Sequence, residues 1–133
     1  MLIVETYLSE SKGKGVGIFT KNLIPKDTVW WIRDLHFDKL ITPEEFNLHT
    51  ALAKQFIKDY GFLEATGNWH LCIDNARFSN HSDKPNTLNN WNEKGELISC
   101  IALKDIDADE EILCDYKEIC VTCKESLGFE NKE

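Results

Sequence analysis

Arg77-Phe78-Ser79-Asn80-His81-Ser82-Asp83-Lys84-Pro85-Asn86 gathers hydrogen-bond donors, acceptors and turn formers into one short stretch. Pro85 pushes Lys84 toward extended backbone, and Ser and Asn at this density satisfy amides that no regular element would. A surface loop shares that composition. His81 alone reads as a hydrogen-bonded structural histidine, since no sequence neighbour offers a matching metal ligand. The stretch gains meaning from what flanks it.

Downstream, Ile101-Ala102-Leu103-Lys104-Asp105-Ile106-Asp107-Ala108-Asp109-Glu110-Glu111-Ile112-Leu113-Cys114-Asp115-Tyr116 is an apolar strand, an acidic turn and a second strand ending in Asp-Tyr. Taken alone it is a β-hairpin with Tyr116 half-buried at a strand end. Upstream, Gly13, Gly15 and Gly17 alternate before Ile18-Phe19-Thr20. Backbone without Cβ atoms can approach a ligand and present amides to it, and it can equally be a plain glycine turn between strands. The dinucleotide pattern fails, because Ile18 and Thr20 stand where a glycine is required. No Ser or Thr follows Lys14, as a phosphate-binding loop would need.

In this order and at these separations the three segments resemble the SET-domain protein lysine methyltransferases. Gly15-Val16-Gly17-Ile18-Phe19 is similar to the family's GxG segment, Arg77–Asn86 to its RFxNHSxxPN motif, and Glu111–Tyr116 to its ELxxDY motif. Asn22–Thr28 is similar to the charged turn that follows the first motif. The resemblance implies a mostly β, α+β domain, a β-clip of small sheets with a C-terminal pseudoknot, against the rule that chains avoid threading. It implies S-adenosylmethionine as cofactor, bound around Lys14, Gly15, Val16 and Gly17 and by Asn80 and His81. Tyr116 falls on the catalytic tyrosine, and Arg77, Glu111 and Asp115 on positions that buttress the threaded segment. The implied activity is N-methylation of lysine in a basic protein, such as a histone tail. The alternatives are a catalytically silent peptide-binding module and a methyltransferase with a non-histone or self substrate.

Three departures from the family matter. Asp83 follows Asn80-His81-Ser82 where many relatives place a zinc-binding cysteine, and Cys120 and Cys123 are the only tail cysteines, so no zinc cluster is expected. Phe129 is then a candidate lid over the cofactor. Cys114 replaces an aromatic residue two positions before the tyrosine, which leaves the degree of methylation open. The stretch 35–66 is short for the family's variable, peptide-selecting insert.

Length and composition bound the rest. At 133 residues and a net charge of −8 the chain is one domain, taken as 1–120 with a short tail over 121–133, and its charge disfavours direct nucleic-acid contact while attracting basic segments. Five scattered cysteines suggest reduced thiols, and no stretch resembles a signal peptide or membrane span, so an intracellular protein, cytoplasmic or nuclear, is expected. A homodimer that completes the substrate groove is a further expectation. Strands are expected at Leu2–Leu8, Val16–Thr20, Thr28–Ile32, Trp69–Ile73, Glu96–Leu103 and Glu111–Cys114. One helix is expected from a Thr42 cap through Pro43 to a stop at Gly61, with Phe46, Leu52, Ala53, Phe56, Ile57 and Tyr60 on its apolar face. A short helix is expected over Cys120–Leu127.

Overall fold

The computed structural model of the chain describes residues 1–119. The expected helix over Cys120–Leu127, the lid residue Phe129 and the Cys120/Cys123 pair lie outside the described residues.

Gly13 and Gly15, with φ of 77° and 79°, turn the chain between strands β1 (Thr6–Ser11) and β2 (Gly15–Thr20). These pair antiparallel from Ser11↔Gly15 to Thr6↔Thr20. β1 starts later than the apolar pattern implies. Residues 1–3 instead lie along β3 (Val29–Ile32): the Met1 amine bonds the Ile32 carbonyl and the Ile3 amide the Trp30 carbonyl at 3.0 Å. β3 pairs with β9 (Leu97–Ala102), which pairs on its other side with β8 (Thr87–Trp91). A third sheet orders β4 (Asp38–Ile41), β6 (Trp69–Cys72) and β5 (Phe62–Leu63).

Two turns lock these units together. Ile24 and Ile106 exchange backbone hydrogen bonds at 2.8 and 2.9 Å, and the turn after each is closed by an aspartate at φ 68°, Asp27 and Asp109. Asp is among the few non-glycine residues that tolerate this left-handed region. Ile24 and Ile106 are buried with Ile18, Trp31, Ala102 and Ile112 in the main core.

The single expected helix is two. α1 (Pro43–Leu48) is capped by Thr42, whose hydroxyl accepts from the Glu45 amide. α2 (Ala51–Tyr60) has its own cap, Thr50, accepting from Ala53. His49 is extended between them, so a second N-cap threonine overrides the continuous apolar spacing. Only Ile57 is buried on α2, packing with Ile41 and Trp69, whereas Leu52 is 83% exposed.

The acidic hairpin does not form either. β10 (Leu113–Cys114) leaves β9 and pairs in parallel with β7 (Asn80–His81), which follows a 3₁₀ turn over Asn75–Phe78. The final described element is a short helix, α3 (Tyr116–Ile119). Segment 111–116 is thus held from both sides. Ile112 donates to the Ile18 carbonyl on β2, while Ser82 and Asn86 amides donate to the Cys114 and Leu113 carbonyls at 3.0 and 3.2 Å. This is the threaded arrangement that the three motifs imply. Among the described residues no helix is long and apolar enough to cross a membrane.

Candidate active site

The site assembles where β2, β7 and β10 meet. Gly17 is buried, and a Cβ there would fall 2.2 Å from Glu111 Oε1. Glu111 occupies that space because it is held: Ser11 Oγ donates to its Oε2 at 2.9 Å and Asn80 Nδ2 to its Oε1 at 2.9 Å. The same Asn80 amide donates to the Val16 carbonyl at 3.0 Å. One asparagine therefore ties the glycine strand to the carboxylate of the threaded segment.

Lys14 crosses the cleft from the other direction, its Nζ 2.6 Å from the His81 carbonyl. The Tyr116 amide donates to His81 Nδ1 at 3.1 Å, so the ring proton sits on Nε2, facing Asp83 at 3.3 Å. Lys117 Nζ lies 3.1 Å from the same Asp83 oxygen, and together with the hydrogen bond it donates holds that carboxyl below its ordinary range. Asp115 caps α3, accepting from the Lys117 amide at 2.9 Å.

Tyr116 points its hydroxyl at the Ser79 carbonyl and donates to it. Beside it opens a cavity of about 100 Å³ lined chiefly by Trp30, Trp31, Tyr60, Phe62, Cys114 and Tyr116. Its walls are mostly apolar, with Cys100 and Cys114 among them. Burial pushes the Cys100 thiol up to about 12 and the Cys114 thiol higher still. Both are free thiols, as is Cys72.

The family model of the SET domain matches residues 15–117, spanning all three motif segments and the elements between them. The chain belongs to the SET domain family. No curated protein matches this SET protein in sequence. Among solved structures it is similar to a candidate histone methyltransferase from Plasmodium falciparum, with TM-score 0.61, 23% identity, 85% of this chain covered and 93% of the other. That likeness concerns the fold.

Within this SET domain the sequence-predicted residues fall into two groups. Lys14, Val16, Gly17, Asn80, His81, Glu111, Asp115 and Tyr116 converge within one set of hydrogen bonds and close contacts, and Gly15 turns the chain beside them with open space over its Cα. Arg77 does a different job from the buttress of the threaded segment that the resemblance implies. It donates to the Ile73 and Asp74 carbonyls at 3.1 and 3.2 Å and lies 4.6 Å over the Phe78 ring, bracing the 3₁₀ turn. Two further residues of the site are not marked by their own side-chain chemistry in the sequence. Ser79 contributes only a carbonyl, which side-chain chemistry does not announce. Asn86, 5% exposed, donates to the Glu111 carbonyl and accepts from the Leu113 amide, both at 2.8 Å. Its place as the last residue of the second motif is the signal that points to it.

Proposed function

We propose that this SET domain is an S-adenosylmethionine-dependent protein lysine N-methyltransferase that acts on a basic protein. The observation that carries the reading is the convergence of Tyr116 with the Asn80–His81 turn. The Tyr116 amide is anchored on His81 and its phenol on Ser79, at the wall of an apolar cavity.

The residues present fit the cofactor. Space over Gly13 and Gly15 is open, with nothing within 4 Å of where a Cβ would stand, and Val16 is 47% exposed beside them. Lys14 supplies a cation suited to a carboxylate, and His81 and Asn80 form the opposite wall. When bound, S-adenosylmethionine supplies a methyl group on a positively charged sulfur.

The chain's own work is to prepare the amine. A free lysine has a pKa near 10.4, so roughly one in a few thousand is neutral at pH 7. Enclosing its side chain between Trp30, Trp31 and Phe62 strips water from the ammonium and favours the neutral form. The Tyr116 hydroxyl commits its proton to Ser79 and offers its oxygen as an acceptor, which orients an amine N–H. Alignment of the reactants then supplies most of the acceleration. With its proton committed to the Ser79 carbonyl, Tyr116 serves to position the amine rather than to deprotonate it.

The substrate class follows from charge. A surface at −8 attracts lysine-rich segments, histone tails among them. The test is incubation with methyl-labelled cofactor and a panel of basic proteins, followed by mass spectrometry, with the enzyme alone as a parallel arm. Label on lysine Nε of an added protein is the expected result. No label anywhere, together with no cofactor binding by calorimetry, leaves a silent peptide-binding module; label confined to the enzyme makes it a self-modifying one.

A further inference from the structure

Beside the methyl-transfer site, β4 and β6 build a second cluster. Asp38 and Cys72 are cross-strand partners, and His70 lies two residues from Cys72 on the same face of β6. The His70 side chain is 0% exposed and sits between two buried carboxylates: Nδ1 is 3.0 Å from Glu64 Oε1 and Nε2 is 3.2 Å from Asp38 Oδ1. The first contact is a well-formed hydrogen bond. The second is not. His70 Nε2 and Asp38 Oδ1 are both buried without a hydrogen-bond partner, although they face each other.

A neutral imidazole that commits its one proton to Glu64 would turn a bare nitrogen toward the Asp38 oxygen, so the pair requires a positive charge, either a second proton on His70 or a metal ion. The nearby charges call for one as well, since Arg33 already pairs with two carboxylates, Glu64 and Glu96, while Asp38 faces His70. The third neighbour decides its class. Cys72 Sγ, a ring nitrogen of His70 and a carboxylate oxygen of Asp38 all lie within 4.8 Å of one another, and a thiol beside an imidazole and a carboxylate is a borderline-soft donor set.

We propose that Asp38, His70 and Cys72 form a binding site for a divalent zinc-type ion. Tetrahedral zinc with nitrogen and oxygen ligands at about 2.0–2.1 Å sets those ligands about 3.3 Å apart, against the 3.2 Å separating His70 Nε2 from Asp38 Oδ1. The outer partners of a metal centre are in place. Glu64 accepts from His70 Nδ1, which leaves Nε2 as the ligand, and Asp38 Oδ2 accepts from the Asp34 amide at 2.7 Å, which leaves Oδ1. Cys72 also lines the apolar cavity, so it is the member of the cluster through which an ion would reach the other two. Without a metal, burial raises the Cys72 thiol well above its usual range; for His70, burial acts downward and the two carboxylates more than offset it. In that state a proton on His70 takes the place of the ion.

The test is metal content and cobalt(II) spectroscopy on the full chain. The expected result is one equivalent of zinc per chain, and, after cobalt substitution, a thiolate charge-transfer band. Cys72→Ala should abolish that band and weaken zinc binding at least a hundredfold, while the double variant Cys120→Ser/Cys123→Ser keeps both. Zinc should also raise the wild-type melting temperature and leave that of Cys72→Ala unmoved. If Cys72→Ala fails to fold, Asp38→Asn, which keeps the thiolate, is read by its loss of zinc affinity and of the zinc-induced rise in melting temperature. A metal-free protein that takes up no zinc, binding that survives Cys72→Ala, or binding lost only in the tail double variant overturns the proposal.

Discussion

The carboxylate of Glu111 occupies the space that a side chain on Gly17 would need. A methyl group at that position would stand 2.2 Å from Oε1 and 2.9 Å from Cδ. Glu111 cannot swing aside cheaply, because Ser11 and Asn80 each hold one of its oxygens. Gly17→Ala should therefore destabilise the protein by about 1–3 kcal/mol, the usual cost of overpacking, and should break the Asn80 link between β2 and the threaded segment. Gly15→Ala meets no atom within 4 Å but carries a φ of 79°, so its cost is confined to backbone strain of about 1 kcal/mol. Urea unfolding of the two variants checks the order. A Gly17→Ala variant as stable as Gly15→Ala would show that Glu111 moves freely.

Asn86 should be the residue on which the threaded segment most depends. Its amide satisfies the Glu111 carbonyl and the Leu113 amide at 2.8 Å each, and both bonds are at least partly buried. Asn86→Ala leaves two backbone groups unmet at about 1–3 kcal/mol each, so a loss of roughly 2–6 kcal/mol is expected. Asn86→Asp keeps the acceptor for Leu113 and loses the donor to Glu111, so it should also be destabilising. Equilibrium unfolding measures both, and hydrogen exchange at the Leu113 amide reports the local opening. An alanine variant within about 0.5 kcal/mol of the parent, the range of ordinary surface changes, would contradict the clamp.

Much of this site is legible in the sequence, and the part that is not has identifiable causes. The glycine, Asn-His and Asp-Tyr segments mark themselves by residue types that local structure does not require, and the fold brings all three together. Their connection is not written in periodicity: β10 has the composition of a hairpin partner for β9, yet it pairs with β7, because a two-residue strand carries too little pattern to specify its neighbour. The break between α1 and α2 is hidden for a related reason. Leu52 and Phe56 continue the helical spacing from Phe46, but Thr50 offers the backbone a cap, and these two side chains remain exposed where a continuous amphipathic helix would bury them. The Asp38–His70–Cys72 cluster depends on the register of β4 against β6, a long-range pairing that no local motif announces.

Tyr116→Phe isolates the hydroxyl from the ring. The ring wall of the cavity stays, the His81 bond to the residue 116 amide stays, and only the contact with Ser79 and the acceptor for an amine are lost. Methyl transfer should fall by about 10²–10³, the range for removal of one positioned polar group, while cofactor affinity stays within a few fold. Steady-state rates and calorimetry separate the two quantities. Loss of cofactor binding in step with activity would assign Tyr116 a structural role in its place.

In the proposed reaction the amine's protonation state sets the pH dependence. A lysine that enters from solution is almost wholly charged at neutral pH, and the chain must receive or produce its neutral form. kcat/KM for a basic peptide should therefore climb with pH, approaching tenfold per unit, between about pH 6 and 8. A flat profile over that interval would mean that the amine is not the titrating group.

Cys100 and Cys114 stand at the wall of the same cavity, and their reactivity tests how dry it is. Cys100 Sγ donates to Asn89 Oδ1 at 3.2 Å and Cys114 Sγ to the Asn80 carbonyl at 3.6 Å. Burial has raised Cys100 to about 12 and Cys114 further, and only the thiolate is nucleophilic. At pH 8 a thiol with a pKa of about 12 is ionised in about one molecule in ten thousand. Neither cysteine should be alkylated in the native protein over a time that labels both in urea, as read by peptide mass spectrometry. Rapid native labelling of Cys114 would mean that water and small solutes reach the strand beside Tyr116, and desolvation of the amine would then contribute little to turnover.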